Sequence, residues 1–571
     1  MLIFSIMRIR VFFPLLAVLI SFTAGAQALR MPGDRHAMLS VDVTDNYLLL
    51  PVQENVANAN VKVIVAGEQK QAFNIRLAKE KVDYFVPLDI KRFGAGKILL
   101  DINFPGDGLK RDEVRNFVCW WEIRQSDGFD TANRERFRPA YHHTPVYGWM
   151  NDPNGMFYKD GLYHLYYQWN PYGSQWENMT WGHSVSRDLI HWEALPAAIE
   201  PDALGTIFSG SCVVDNANTS GYGAGSVVAF YTSAGQNQTQ SSAFSSDDGK
   251  TFTKSLLNPV ITGEIGDFRD PKAFWNPDAR QWNLILAAGQ EMQIYSSPDL
   301  KSWKYESSFG EGYGMHASVW ECPDLMKLRV RGTDKSMWLL VCNTGGAPGG
   351  GSGTQYFVGE FDGHKFTTNQ KEALWMDYGK DHYATVTFDN APQGRRIAIA
   401  WMSNWQYSGG VPTKQFRSAD SLPRDLDIFE YDGRFYCGVY PSPELAALRG
   451  DRIKQPSETC EIVVDLKGSA SLVLSNPKGE KVIMEYDAKA QTFSMDRTGS
   501  GEVSFSKEFP VTTVAPTRGS IRQLRIFIDR CSIEAFDSDG KMAMTNLVFP
   551  SEPYNILKVK GCKATVYSIK Q

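Results

Sequence analysis

The chain reads as an all-β protein: a five-bladed β-propeller followed by a strand-rich C-terminal region, with a further β-rich domain at the N-terminus. Three observations lead there. Alternating strand patterns dominate, as in Leu162-Tyr163-His164-Leu165-Tyr166-Tyr167 and Gln523-Leu524-Arg525-Ile526-Phe527-Ile528, while helical periodicity is scarce. A hairpin motif recurs at regular intervals through the middle of the chain. The length of 571 residues exceeds what a single core organises, so two to four domains are expected.

Residues 1–26 have the form of a secretory leader. Arg8 and Arg10 are its basic start, Val11 to Thr23 its apolar run, and Ala24-Gly25-Ala26 a small-residue cleavage site before Gln27. The run is short for a membrane span, no cysteine follows the cleavage site, and no later stretch is apolar enough to cross a bilayer. An exported mature chain, periplasmic or extracellular and not inserted in a membrane, is expected. Residues 27–136 hold short β-like runs (Tyr47 to Val52, Val61 to Ala66, Ile98 to Phe104) and end in a polar stretch, Gln125 to Arg136, that reads as a linker.

Residues 137–427 repeat themselves. Ser186-Arg187-Asp188 is followed by Trp192, Ser246-Asp247-Asp248 by Phe252, and Ser297-Pro298-Asp299 by Trp303. All fit Ser-x-Asp-x-x-x-aromatic, and Asp362-Gly363-His364-Lys365-Phe366 is a shortened fourth copy. The Asp starts a turn and the aromatic opens the next strand. A recurrence of 50 to 63 residues suits one four-stranded propeller blade per unit. Residues 428–571 are again strand-rich.

Bulk properties exclude some partners. With 59 basic and 64 acidic residues the net charge is only -5, which argues against nucleic acid or an anionic membrane surface. Aromatics make up 12%, which suits stacking on sugar rings but also an all-β core. Eight widely scattered cysteines do not make a disulfide framework, although one or two bridges stay open, and no Cys-x-x-Cys pair or His cluster offers metal spacing. Cys322 reads as a small buried thiol.

Three segments each present a carboxylate beside a proline: Asn151-Asp152-Pro153-Asn154-Gly155, Arg269-Asp270-Pro271-Lys272 and Glu321-Cys322-Pro323-Asp324. Singly, each reads as an ordinary turn. The repeat changes that. Asp152, Ser209, Asp270 and Glu321 precede the hairpin Asp of their units by 36, 39, 29 and 41 residues, a similar phase, and Asp381 opens a fifth unit. The early strand of a blade lines the central channel, so these side chains are expected at one channel mouth. Converging carboxylates there are what cleavage of a sugar bond needs: one to attack, one to move a proton.

Further motifs follow in order: Arg138-Pro139 with Tyr141-His142, Trp149-Met150-Asn151-Asp152-Pro153-Asn154-Gly155, Gln168-Trp169-Asn170-Pro171, Trp181-Gly182-His183, Phe208-Ser209-Gly210-Ser211, Phe268-Arg269-Asp270-Pro271-Lys272, Glu321-Cys322-Pro323-Asp324-Leu325 and Trp401-Met402-Ser403-Asn404-Trp405. Together they resemble glycoside hydrolase family 32, the family of invertases, exo-inulinases, levanases and fructan exohydrolases, over about residues 137–571, and Phe527-Ile528-Asp529-Arg530-Cys531-Ser532-Ile533-Glu534 resembles a strand pair of that family's C-terminal β-sandwich, which implies a β-sandwich over residues 428–571. The resemblance implies a β-fructosidase in which Asp152 attacks the anomeric carbon of fructose, Glu321 acts as acid and then base, and Asp270 holds fructosyl hydroxyls. It implies substrate contacts at Trp149, Asn151, Gln168, Trp176, Phe208, Ser209, Arg269, Tyr383 and Trp401. The retaining double displacement that the resemblance implies places the Asp152 and Glu321 carboxyls about 5–5.5 Å apart and requires no metal or cofactor. Glu321 is then expected to have a raised pKa, and Asp152 to stay ionised with help from Asn151. Arg269 has a second reading beside substrate contact, in which its guanidinium pairs with Asp270 or a hydroxyl.

The expected substrate is a fructan or fructo-oligosaccharide cut from its end, with sucrose as a further substrate. The alternatives are an endo-acting enzyme, a fructosyltransferase, and a fructan-binding protein without catalysis. His143 and His382 stand where the family often has aromatics, and read as rim or packing changes. The N-terminal domain is an accessory to the family pattern. Its Trp120-Trp121 pair is either a stacking platform or interdomain packing.

Overall fold

The computed structural model describes residues 27–570; the leader expected over residues 1–26 lies outside the described residues. These residues form a β-rich N-terminal module, a five-bladed propeller and a C-terminal sandwich.

Blade 1 is built from Gly148–Lys159, Leu162–Asn170, Thr180–Ser186 and Trp192–Ile199, and blade 2 from Thr206–Asp215, Ser226–Ala234, Gln238–Ser245 and Thr253–Lys254. Blade 3 uses Phe268–Asn276, Gln281–Ala288, Glu291–Ser297 and Lys304–Phe309, and blade 4 uses Glu321–Arg329, Ser336–Gly345, Ser352–Phe361 and Phe366–Thr367. Blade 5 comprises Tyr383–Thr387, Ile397–Trp401, Arg424–Tyr431 and Arg434–Pro441. Residue 427, where the sequence suggested a boundary, therefore falls inside a strand. The first strands adjoin one another in a closed ring. Phe416–Arg417 from late in the chain adds in parallel to Gly148–Trp149 and ties the ring shut.

The hairpin repeat has a hydrogen-bonded cause. Asp188 Oδ1 accepts from the amides of Ile190 and His191 at 3.0 and 2.9 Å, and Asp299 Oδ1 from those of Lys301 and Ser302 at 2.9 and 2.8 Å. Asp362 does the same with His364 and Lys365 at 2.8 and 2.7 Å. In blade 2 the capping pair is Ser245 and Asp247, one residue earlier than the sequence motif suggested. Asp247 receives the Ser245 hydroxyl at 2.7 Å, and the longer turn absorbs the offset.

The proline-flanked carboxylates are not on turns. In every inner strand two residues oppose one on the neighbouring strand: Asn151 and Asp152, Phe208 and Ser209, Asp270 and Pro271, Cys322 and Pro323, Ala384 and Thr385. Each is a β-bulge at the same height of the ring. The prolines fit because the inner strand is an edge, where a missing N–H breaks no ladder. Asp270, Cys322 and Ala384 have φ of 67°, 42° and 55°, a left-handed kink that re-aims the side chains around it.

In the N-terminal module two sheets enclose an apolar core. Arg124–Ser126 pairs with Tyr47–Leu49, so part of the stretch read as linker belongs to a sheet. Trp120 packs edge-on against Phe104 at 5.9 Å and donates to the Val114 carbonyl at 2.6 Å, a packing role, whereas Trp121 is 80% exposed. In the sandwich, Cys460–Ser475 pairs with Gln523–Asp529 along its first part and with Lys481–Asp487 along its second, passing between layers. Among the described residues the eight cysteines are unpaired, and seven are buried.

Candidate active site

The bulges bring Asp152, Asp270 and Glu321 together at one mouth of the ring. The Cys322 thiol lies 3.3 Å from Asp152 Oδ2 and 3.5 Å from Asp270 Oδ2, so it joins blades 1, 3 and 4. It is more than a small buried filler. Its burial, and the carboxylates around it, push the thiol well above its ordinary pKa and keep it a neutral donor.

Three donors converge on Asp152. Asn151 Nδ2 reaches Oδ1 at 3.0 Å, and the Ser209 hydroxyl and Cys322 thiol reach Oδ2 at 2.6 and 3.3 Å. Asn151 is itself held by the Trp149 indole N–H at 2.8 Å. The carboxylate is thus fixed in orientation while staying half-buried and open to a ligand.

Glu321 is gripped on both oxygens. Arg269 Nε and Nη2 donate to Oε1 at 3.1 and 3.0 Å, and the Tyr383 hydroxyl donates to Oε2. Burial raises its pKa; Arg269 opposes that rise and the Asp152 charge adds to it, so the net direction is up. Asp270 accepts the Cys322 amide on Oδ2 at 2.9 Å, and its own amide donates to Thr232 Oγ1 at 3.0 Å. Burial, opposed by Arg269 but reinforced by Glu321 and Asp152, pushes Asp270 up to about 7.

Arg269 does not pair with Asp270 as the sequence suggested. The kink at Asp270 aims that carboxylate at the Cys322 amide, while Arg269 reaches across to Glu321. Its Nη1 is anchored by Asp267 at 2.6 Å and Gln238 at 3.1 Å, which sequence reading missed. Asp381 is also displaced from the expected ring. The fifth bulge lies at Ala384 and Thr385, so Tyr383 takes the position facing Glu321. Asp381 is buried below, receiving Arg497 and Tyr407, each at 2.5 Å.

The remaining candidates form the walls. Gln168 lies opposite the blade 1 bulge; it is buried and its Nε2 has no partner, an amide donor that a ligand hydroxyl would satisfy. Trp176 is 44% exposed and packs edge-on against Phe208 at 5.8 Å. Trp401 is fully buried, so it supports the site from beneath rather than lining it. Above it Trp405, 42% exposed, stacks on Trp149 at 5.9 Å and adjoins Trp401 at 4.7 Å. Trp405 was missed as a candidate, although it closes the motif Trp401-Met402-Ser403-Asn404-Trp405.

The two histidine departures both prove to be packing. His143 bridges Asp420 at 2.7 Å and Ser184 at 2.9 Å. His382 is buried beside Thr385 at 3.3 Å, where burial and the Arg424 charge lower its pKa to about 3.

Comparison with known proteins places this geometry. Residues 142–437 match the glycosyl hydrolases family 32 N-terminal domain, and residues 444–570 the family's C-terminal domain. The chain belongs to glycosyl hydrolase family 32. Residues 33–141 match a domain of unknown function, DUF4980. A levanase of Bacillus subtilis is 43% identical over 453 residues, covering 73% of this chain and 67% of that protein. An extracellular exo-inulinase of Aspergillus awamori is 37% identical over 483 residues, covering 73% of this chain and 90% of its own length. The crystal structure of the Aspergillus awamori exo-inulinase superposes with a TM-score of 0.71 at 33% identity, over 77% of this chain and 99% of that one. A Schwanniomyces occidentalis fructofuranosidase in complex with fructose gives 0.70 at 31% identity, over 78% of this chain and 100% of that one. As a member of family 32, the chain is a glycoside hydrolase.

Proposed function

We propose that this family 32 enzyme is an exported β-fructosidase that releases terminal fructosyl units from fructans, and fructose from sucrose, with retention of configuration. One observation carries the reading. Asp152 and Glu321, half-buried on different blades, share a channel mouth with Asp270, and each is held by a different set of donors. The extracellular relatives and the leader over residues 1–26 support export.

In the first step Asp152 attacks C2 of the fructosyl unit, and protonated Glu321 gives its proton to the leaving oxygen. Asp270 takes hydrogen bonds from fructosyl hydroxyls, which compensate the buried charge. The ester formed on Asp152 removes its negative charge. Glu321 then loses the neighbour that helped keep it protonated, while Arg269 remains to favour its anion. The same carboxyl thereby changes from acid to base, takes a proton from water, and the hydroxide displaces Asp152 from C2.

Product analysis on inulin, levan and sucrose tests the specificity. Fructose as the sole early fructan product supports end-wise attack, and a ladder of oligosaccharides contradicts it. Proton NMR of the first product checks the stereochemistry: the β-anomer must appear before mutarotation.

A further inference from the structure

The module matching DUF4980 touches the propeller where Trp176 is presented. Trp176 lies in the loop between Leu162–Asn170 and Thr180–Ser186 of blade 1. Its neighbour Phe208 shares a bulge with Ser209, the donor to Asp152, so the indole stands at the lip of the site.

The residues around Trp176 are held by the N-terminal module. Tyr172 stacks on Phe73 with centroids 3.8 Å apart and planes within 16°, and is buried in the module's own apolar core. The Ser174 amide donates to the Tyr84 hydroxyl at 3.0 Å and its side chain to Glu54 at 2.9 Å; Gln175 Nε2 also donates to Glu54, at 3.0 Å. On the other side, Glu177 accepts from Asn58 at 3.0 Å and Asn74 at 3.2 Å. The Asn178 side chain exchanges two 2.8 Å hydrogen bonds with the Asn74 backbone, its Oδ1 accepting the N–H and its Nδ2 donating to the carbonyl. These contacts bracket Trp176 from both directions and leave its ring exposed beside Phe208.

We propose that the N-terminal module is a clamp that positions Trp176 as the wall meeting the part of the substrate beyond the terminal fructosyl unit. This rests on the β-fructosidase reading. The reacting unit must go deep, against Asp152 and Asp270. Whatever protrudes meets the exposed lip, where an indole offers a flat apolar surface to a sugar ring. A segment without regular secondary structure otherwise samples many conformations, and ordering it in advance spares that entropy when substrate binds. The clamp residues act through Trp176 and are positioning residues, so they should govern KM for longer substrates and leave kcat almost unchanged.

A double-mutant cycle on the full chain tests this. Glu177→Ala should raise KM for short inulin oligosaccharides about threefold or more, with kcat within about twofold. In the Trp176→Ala background the same substitution should have no further effect. Equal KM changes in both backgrounds, or a change in kcat alone, would overturn the clamp. Asn58→Ala, which removes one donor to Glu177, is the milder variant should Glu177→Ala fold poorly. Hydrogen exchange over residues 170–180 gives a readout independent of turnover. It should quicken in Glu177→Ala, and unchanged exchange would overturn the clamp even were the substrate assignment wrong. Absence of fructose release by the unmodified enzyme would sink the β-fructosidase reading instead.

Discussion

Two clusters of buried charge in this molecule are built on opposite rules. At the channel mouth Asp152, Asp270 and Glu321 stand together, and Arg269 hydrogen-bonds Glu321 alone of the three. Between propeller and sandwich each buried acid has a cationic partner. Arg424 pairs with Asp377 at 2.8 Å and Glu534 at 2.6 Å, Arg497 with Asp381 at 2.5 Å, and His142 bridges Asp529 and Glu534 at 2.8 Å each. Burial pushes acids upward in both places. At this joint it is outweighed: Arg424 holds Asp377 and Glu534 low, and His142 holds Asp529 low. At the mouth it is not, and Asp270 and Glu321 rise. Asp270 and Glu321 thus stay short of compensating charge, whereas the acids of the joint each have a cation.

The sharpest contrast is between substitutions that stop turnover and those that loosen the joint. Asp152→Asn and Glu321→Ala should each lower turnover by roughly a hundredfold to ten-thousandfold or more without lowering the thermal transition. Arg424→Met should do the reverse. It strands Asp377 and Glu534 without their cation, at a cost of about 3–5 kcal/mol in denaturant unfolding, with kcat per folded molecule preserved. A denaturation midpoint unchanged in Arg424→Met would break the comparison.

Two smaller effects depend on pH. Arg269 lowers the pKa of Glu321, so Arg269→Gln should let the acid form persist to higher pH. The alkaline limb of kcat/KM should then move upward; a downward move would mean that Arg269 does not act through Glu321. At the joint, His142 is raised to about 9: burial opposes the rise, but hydrogen bonds to Asp529 and Glu534 outweigh it. A raised histidine stabilises fully below its unfolded pKa of about 6.5 and loses that contribution as pH climbs through the folded value. Stability should therefore fall between about pH 6.5 and 9, and His142→Gln should flatten the fall.

The strand content, the blade phase and the carboxylates could be read in the sequence because each is local: alternation, a hairpin Asp, a proline beside an acid. What was misread depends on register. Whether Asp152-Pro153 turns or bulges is decided by Tyr167 and Trp169 on the next strand. Asp381 has the sequence spacing of a ring residue, yet the bulge at Ala384 puts Tyr383 there instead. Arg269 finds Glu321, 52 residues away, because two adjacent blades carry bulges at the same height. The grip of Glu54, Asn58 and Asn74 on the Trp176 loop joins segments about a hundred residues apart, and no local pattern announces it.

The measurement that bears most directly on the contrast is stability and turnover together in Asp270→Asn. An acid whose pKa rises on folding destabilises the native state once it is ionised, so removing its charge should raise the unfolding midpoint at neutral pH while turnover falls at least a hundredfold. A midpoint that drops, with turnover retained, would mean that Asp270 is a structural acid like Asp377, and that the two clusters do not differ in kind.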